Sequence, residues 1–306
     1  MFFIALSTVL VMLFYAVPGF LMVKTKLVPE SGISNFAKLL MYVCQPALII
    51  YSFLQVDFSF DLLWQMLFVF VFVLVLLAAV ILLCHFVIFR KKVQDVKFRI
   101  YTLAVCFSNC AFMGVPILEA LLPDYPQAVA FSAMFSLAMN IIGWTLGSAV
   151  ITNDMKYMSV KKIILNPAVI ALVVAVPLFV TGFALPENIE SMITLLGRMT
   201  TPLCMLIMGM RLATVSLRST FARPTQYIII ALKQILLPLV ALAILYFIPV
   251  EHDLKISLYI MFACPVASVV LNFAEMLGEG QEYAANLVLL GTGLSALTIP
   301  LMVLII

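Results

Sequence analysis

Charge is what this sequence has least of. Its 306 residues carry 17 Lys and Arg against 14 Asp and Glu, or 10% charged side chains, where a soluble domain carries roughly 25%. Too few charges are present to keep a water-facing surface dispersed, which excludes a soluble two-domain enzyme. The net charge of +3 is too small, and its bases too scattered, for nucleic-acid binding. There is no HExxH, no GxSxG and no paired Asp on a helix, so no catalytic residue and no enzyme chemistry is expected. The six cysteines lie in apolar stretches without CxxC or Cys/His ligand spacing, and His85 and His252 have no ligand partner by spacing. Neither a disulfide framework, a metal site nor a cofactor is expected. No basic segment precedes the apolar N-terminal run, which reads as a first spanning helix rather than a cleaved signal.

What is abundant is hydrocarbon: 65% of the residues are hydrophobic. Crossing a bilayer takes about 20 apolar residues in a helix. Ten such stretches lie between clusters of charge, Pro and Gly, at approximately 3–23, 33–54, 62–89, 99–121, 127–150, 163–184, 190–212, 225–247, 255–277 and 284–306. Strand-like alternation is absent, so a transmembrane barrel is not expected. The spacing predicts an all-α, multi-pass membrane protein. Lys and Arg gather after the first span (Lys24, Lys26), the third (Arg90, Lys91, Lys92, Lys97, Arg99), the fifth (Lys156, Lys161, Lys162) and the seventh (Arg211, Arg218, Arg223). Those loops are expected in the cytoplasm and both termini outside, in a cell inner (plasma) membrane. The acidic loop with Glu279 and Glu282 is the one dissent.

Shifting the sequence by 156 residues sets Arg99–Leu122 over Lys255–Gly278, with Arg99 on Lys255, Ala111 on Ala267, Glu119 on Glu275 and Leu121 on Leu277. The same shift sets Pro46 on Pro202. Two five-span halves, 1–150 and 163–306, joined by a short linker 151–162, are implied. An odd number of spans per half inserts the second half upside down, the inverted repeat of many secondary transporters.

In repeats of this kind discontinuous helices free backbone groups near the midplane. Span four carries Asn109 followed by Gly114 and Pro116, and span nine carries Pro265 and Ser268, so both are expected to break. Crossed breaks would aim half-helix N-termini at a carboxylate beside Asn109. A buried charge marks a functional site by default. Lys233, nine residues into span eight with no acid on that span, either supplies positive charge near an anion or braces a break. Arg198 and the equivalent Glu119 and Glu275 sit nearer the span ends, where interfacial solvation explains them. Asn140, polar within the fifth span, either bonds a neighbouring helix or has a functional role.

The stretch Asn109 to Pro116 resembles the N-x-x-x-M-G-x-P segment of the auxin efflux carrier family, which includes plant carriers and bacterial permeases for malate or malonate. Ser31-Gly32-Ile33 leading to Pro46, Asn140 to Thr145, Asn166-Pro167 and Ala263-Cys264-Pro265 are similar to further family segments, so the resemblance covers essentially the whole chain. It implies ten helices in two inverted five-helix repeats, crossing helices four and nine, elevator-type movement, and an Asn, here Asn109, on the substrate carboxylate, with Asn140 lining the route. The long cytoplasmic loop of the plant carriers is absent, since only Ile151 to Lys162 join the halves. A bacterial-type organic-anion carrier fits better than an auxin carrier. A sodium-coupled symporter of the bile acid type, with Gln45, Ser108, Asn109 and Ser268 as oxygen ligands, and a non-transporting sensor are the rivals. Na+ or H+ is the possible coupling ion, lipid the surroundings and a homodimer possible.

Overall fold

The computed structural model describes residues 1–215 and 223–306; Arg218 lies outside the described residues. Among those residues the regular structure is all helical, joined by turns and short loops, and the one β contact is an isolated backbone bridge. In chain order the elements are α1 (Phe2–Lys24), α2 (Glu30–Leu54), α3 (Phe60–Ile88), α4 (Val96–Cys106), α5 (Cys110–Leu121), α6 (Gln127–Thr152), α7 (Met155–Ile164), α8 (Pro167–Thr181), α9 (Glu187–Leu212), α10 (Pro224–Tyr246), α11 (His252–Ala263), α12 (Val269–Leu277) and α13 (Gln281–Val303). Seven of these are long and apolar enough to cross a membrane, and the pair α7 and α8, bent by 42°, makes an eighth. The stretches at spans four and nine are each split in two: α4 and α5, α11 and α12.

Local chemistry sets the ends. Ser59 starts α3 by accepting from the Leu62 amide, Asp95 starts α4 by accepting from Lys97, and Asn166 starts α8 by accepting from Ala168. Gly182 and Gly278, at φ of 60° and 80°, close α8 and α12 in the left-handed conformation that a side chain resists. At three prolines inside the spans the helix widens rather than breaks. Leu40–Cys44, Cys110–Gly114 and Leu232–Leu236 are single π-helical turns lying directly ahead of Pro46, Pro116 and Pro238. A proline has no N–H for the carbonyl four residues back, and widening the preceding turn removes the clash.

Packing sorts the helices into two groups. In one, α1 lies along α9, and α2 packs on α8 and α9; in the other, α3 packs on α6, α10 on α11, and α12 on α13. Contact of α1 with α13 ties the groups together. Lipid supplies no hydrophobic drive between helices, so close backbone approach has to hold them. Gly19 and Gly209 provide it: a Cβ on Gly19 would stand 2.0 Å from the Leu206 carbonyl oxygen, and one on Gly209 would stand 1.8 Å from that of Ala16. The six cysteines are all free and buried.

Candidate functional site

Phe107, Ser108 and Asn109 separate α4 from α5, and Cys264 to Ser268 separate α11 from α12. The two breaks meet. The Asn109 amide donates to the Pro265 carbonyl at 2.8 Å and the Ala267 amide to the Phe107 carbonyl at 3.0 Å, an antiparallel bridge centred on Ser108 and Val266. Each extended segment thus satisfies backbone groups that the other's missing helical turn has freed.

The break in the fourth stretch falls at Phe107–Asn109, seven residues before Pro116, so Gly114 and Pro116 do not cause it. Both sit inside the second half-helix, where the Gly114 amide reaches back to the Asn109 carbonyl at 3.2 Å and closes the π turn. The carbonyl four residues before Pro116 is that of Phe112, and the Thr201 hydroxyl of α9 donates to it at 2.8 Å. Gly114 packs against the other break: a Cβ there would meet Cys264 Sγ at 3.4 Å, an ordinary contact, so neither a bend nor crowding demands glycine at this position. Pro265 is buried within the ninth-stretch break, where the sequence placed it.

Lys233 is fully buried, which excludes snorkelling to an interface. Its ammonium donates to Ser108 Oγ at 2.5 Å and to the Phe262 carbonyl at 2.8 Å. Phe262 lies in the last turn of α11, where carbonyls lose their helical donors. Lys233 therefore clamps both breaks at once. It does not line the cavity described next, and none of the three ion pairs among the described residues includes it.

Beside the bridge lies a cavity of about 330 Å³ at the seam between the two helix groups. Met41 and Gln45 of α2 and Asn166 and Pro167 at the start of α8 form one wall; Ser108, Asn109, Asn140, Ser268 and Asn272 face them, with Trp144 and Phe273 as aromatic lining. Asn109 is 4% exposed, and its Nδ2 donates to no group among the described residues. A buried amide N–H without an acceptor costs on the order of 1–3 kcal/mol, a cost that an acceptor atom placed in the cavity would relieve. The amides of Cys110 and Ala111 open α5 and those of Ser268 and Val269 open α12, so two helix N-termini converge on the same corner. Asn166 Nδ2 donates to Asn140 Oδ1 at 3.2 Å while its own Oδ1 caps α8, which leaves Asn140 Nδ2 as a further donor. Trp144 packs against Phe273 with centroids 5.2 Å apart, and the Lys162 ammonium lies 4.8 Å from the Trp144 ring. The corner is rich in donors and free of carboxylates, the chemistry of a small-anion site.

The structure thus gathers Asn109, Asn140 and Ser268 around one cavity, with Pro265 in the bridge and Lys233 beneath it, whereas Pro116 lines a different cavity on the far side of α5. Asn272 and the pairing of Asn166 with Asn140 were not singled out from the sequence; an Asn within the apolar run of the ninth stretch was the available signal for the first. No group of three or more His, Cys, Asp or Glu is placed to hold a metal among the described residues.

A family model described as a membrane transport protein matches the chain twice, over residues 4–157 and 148–303. Comparison with curated proteins finds no match.

Proposed function

Since the chain belongs to that membrane transport protein family, the auxin efflux carrier family its helix-four segment resembles, and is a multi-pass membrane protein, we propose that it is a carrier for small organic anions such as malate or malonate. The observation that carries this reading is the unpartnered, buried Nδ2 of Asn109 beside two helix N-termini and a lysine-clamped crossing. A cavity of about 330 Å³ sits at the small end of small-molecule sites, which suits a short carboxylate better than a sterol acid. On the sodium-coupled reading Ser108 would be a cation ligand, yet its Oγ accepts from an ammonium, which favours an anion at this corner.

Counting α4 with α5 and α11 with α12 as one interrupted span each turns eight candidates into ten, in two inverted halves. Breaks at corresponding positions of the 156-residue shift support this layout, as do Glu119 and Glu275 near the far ends of α5 and α12. With the basic loops inside the cell and both termini outside, the Asn109 cavity opens inward. The crossing belongs to the helix group of α3 to α6 and α10 to α13, and α1, α2, α8 and α9 form the frame against which it slides, an elevator-type movement. Apolar outer faces leave room for a homodimer.

Uptake of labelled malate, malonate, succinate and an indole acid into proteoliposomes, under an imposed sodium gradient, a proton gradient or neither, tests the proposal. Saturable flux of a dicarboxylate is expected, and the gradient that accelerates it names the coupling ion. Absence of flux for every acid under every gradient overturns it.

A further inference from the structure

A second cavity, of about 750 Å³, lies between α1, α2 and α9 on one side and α5 on the other. Only a thin apolar septum parts it from the Asn109 cavity. On α2, Gln45 faces the first cavity and Leu48 the second; on α5, Phe112 faces the first, and Val115 and Pro116 the second. Three residues of helix advance about 4.5 Å. The septum is a hydrophobic cluster of its own, Leu48, Tyr51, Val115 and Val129, separate from the main core.

Among the residues lining the second cavity, Arg198 brings the one cation and Glu119 the one carboxylate. They do not touch directly. Arg198 Nη2 donates to the Tyr51 hydroxyl at 3.2 Å, and that hydroxyl donates to Glu119 Oε1 at 3.2 Å, while the guanidinium stands 5.6 Å from the centre of the Tyr51 ring. The rest of the planar fork has no further partner among the described residues and sits at an exposed position. The repeat counterpart of Glu119 is placed differently: Glu275, which the 156-residue shift sets on it, contacts Arg211 of the same α9 directly at 2.8 Å. A guanidinium held in place by a buried tyrosine, with its bidentate edge left unused, is built to receive a carboxylate.

We propose that the second cavity is a further anion site on the transport route, in which Arg198 recognises the carboxylate, Tyr51 orients the guanidinium, and Glu119 moderates its charge through Tyr51 until the ligand arrives. This rests on the carrier reading of the first site and adds a second station across the septum, on the side where the termini are placed.

The test uses the full-length protein in proteoliposomes and malonate as the probe. Because the six native cysteines are buried, a reporter at Gln55→Cys, with Thr8→Cys as a second, can be labelled by a membrane-impermeant thiol reagent. Malonate is expected to slow labelling of both reporters several-fold, while sodium chloride at equal ionic strength leaves it unchanged. Adding Arg198→Gln should abolish the protection, Arg198→Lys should retain part of it, and Glu119→Gln should bring half-protection at a lower malonate concentration. Asn109→Ala should leave the protection intact, which separates this site from the first. If the uptake experiment finds no flux but Arg198-dependent protection persists, the anion site stands and the carrier reading fails. Labelling that malonate does not slow, protection that survives Arg198→Gln in folded protein, protection lost in Asn109→Ala, or two reporters that never label would each overturn the proposal.

Discussion

Replacing Asn109 with Ala separates ligand recognition from folding. The residue's structural work is done by its backbone: the amide donates to Pro265, and the carbonyl accepts from Met113 and Gly114. Its side chain makes no hydrogen bond within the described residues, and Nδ2 is buried without an acceptor. Truncation therefore leaves the bridge intact and removes an unpaired polar group, so the thermal midpoint in detergent should move by no more than about 2 °C. Binding should suffer heavily. A hydrogen bond to a charged acceptor contributes about 1.5–3 kcal/mol, and about 1.4 kcal/mol corresponds to a factor of ten, so the KM for uptake should rise roughly 10- to 150-fold. Asn109→Asp provides the opposite arm: a carboxylate fixed at the two helix N-termini occupies the site itself, abolishing anion flux while holding or raising the midpoint. The assay is initial-rate uptake in proteoliposomes with equal amounts of folded protein, paired with a thermal scan. Uptake within about threefold of wild type in the Ala variant would refute the assignment, and a collapse of its midpoint would show that the side chain is structural after all.

Lys233→Met removes the donor to Ser108 and Phe262; an unpaired carbonyl costs about 1–3 kcal/mol, but relief from burying an ammonium offsets several kcal/mol, so global stability should change little. Hydrogen exchange at the amides of Asn109 and Ala267 should nonetheless accelerate, and unaltered exchange there would contradict the clamp. Gly209→Ala places a Cβ where 1.8 Å separates it from the Ala16 carbonyl oxygen, so α1 and α9 must move apart at a cost of about 1–3 kcal/mol. The midpoint should fall clearly, whereas Gly293→Ala in α13, where a Cβ meets nothing within 4 Å, should be neutral or stabilising by about 0.5–1 kcal/mol; equal midpoints for the two would rule out the close approach. Tyr125, in the turn before α6, donates to Glu251 Oε2 at 2.9 Å, and burial, followed by that carboxylate, holds its hydroxyl well above the usual phenol range. Above the ordinary phenol pKa of about 10 the unfolded chain releases a proton that the folded chain keeps, so stability falls with rising pH. Midpoints measured from pH 9 to 11 should slope downward less in Tyr125→Phe than in the parent, and identical slopes would exclude the contribution.

Much of this protein is local and so legible in one dimension. Hydropathy over about 20 residues registers burial in lipid wherever a stretch ends up, which is why the helical stretches stand where the composition puts them. Asn166 before Pro167, Ser59 before α3 and Gly278 after α12 mark helix ends by their own conformational preferences. The interruption of the fourth and ninth stretches was readable too, and Pro265 sits in the break it announced. Its exact counterpart was not. A proline removes one hydrogen bond, but whether the helix breaks or widens depends on what else can serve the freed carbonyl. At Pro116 a π turn and the Thr201 hydroxyl from a helix some ninety residues away serve it, so the chain leaves the helix at Phe107 instead, where the opposite break supplies partners. The same holds for charge. Sequence position marked Lys233 as costly to bury and Arg198 as close to an end, but only the packed structure brings Ser108 and Phe262 to the first and Tyr51 to the second. Hydrophobic length and capping are properties of neighbours along the chain, whereas a satisfied buried charge, a cavity and a crossing depend on neighbours across it, and those the sequence alone leaves open.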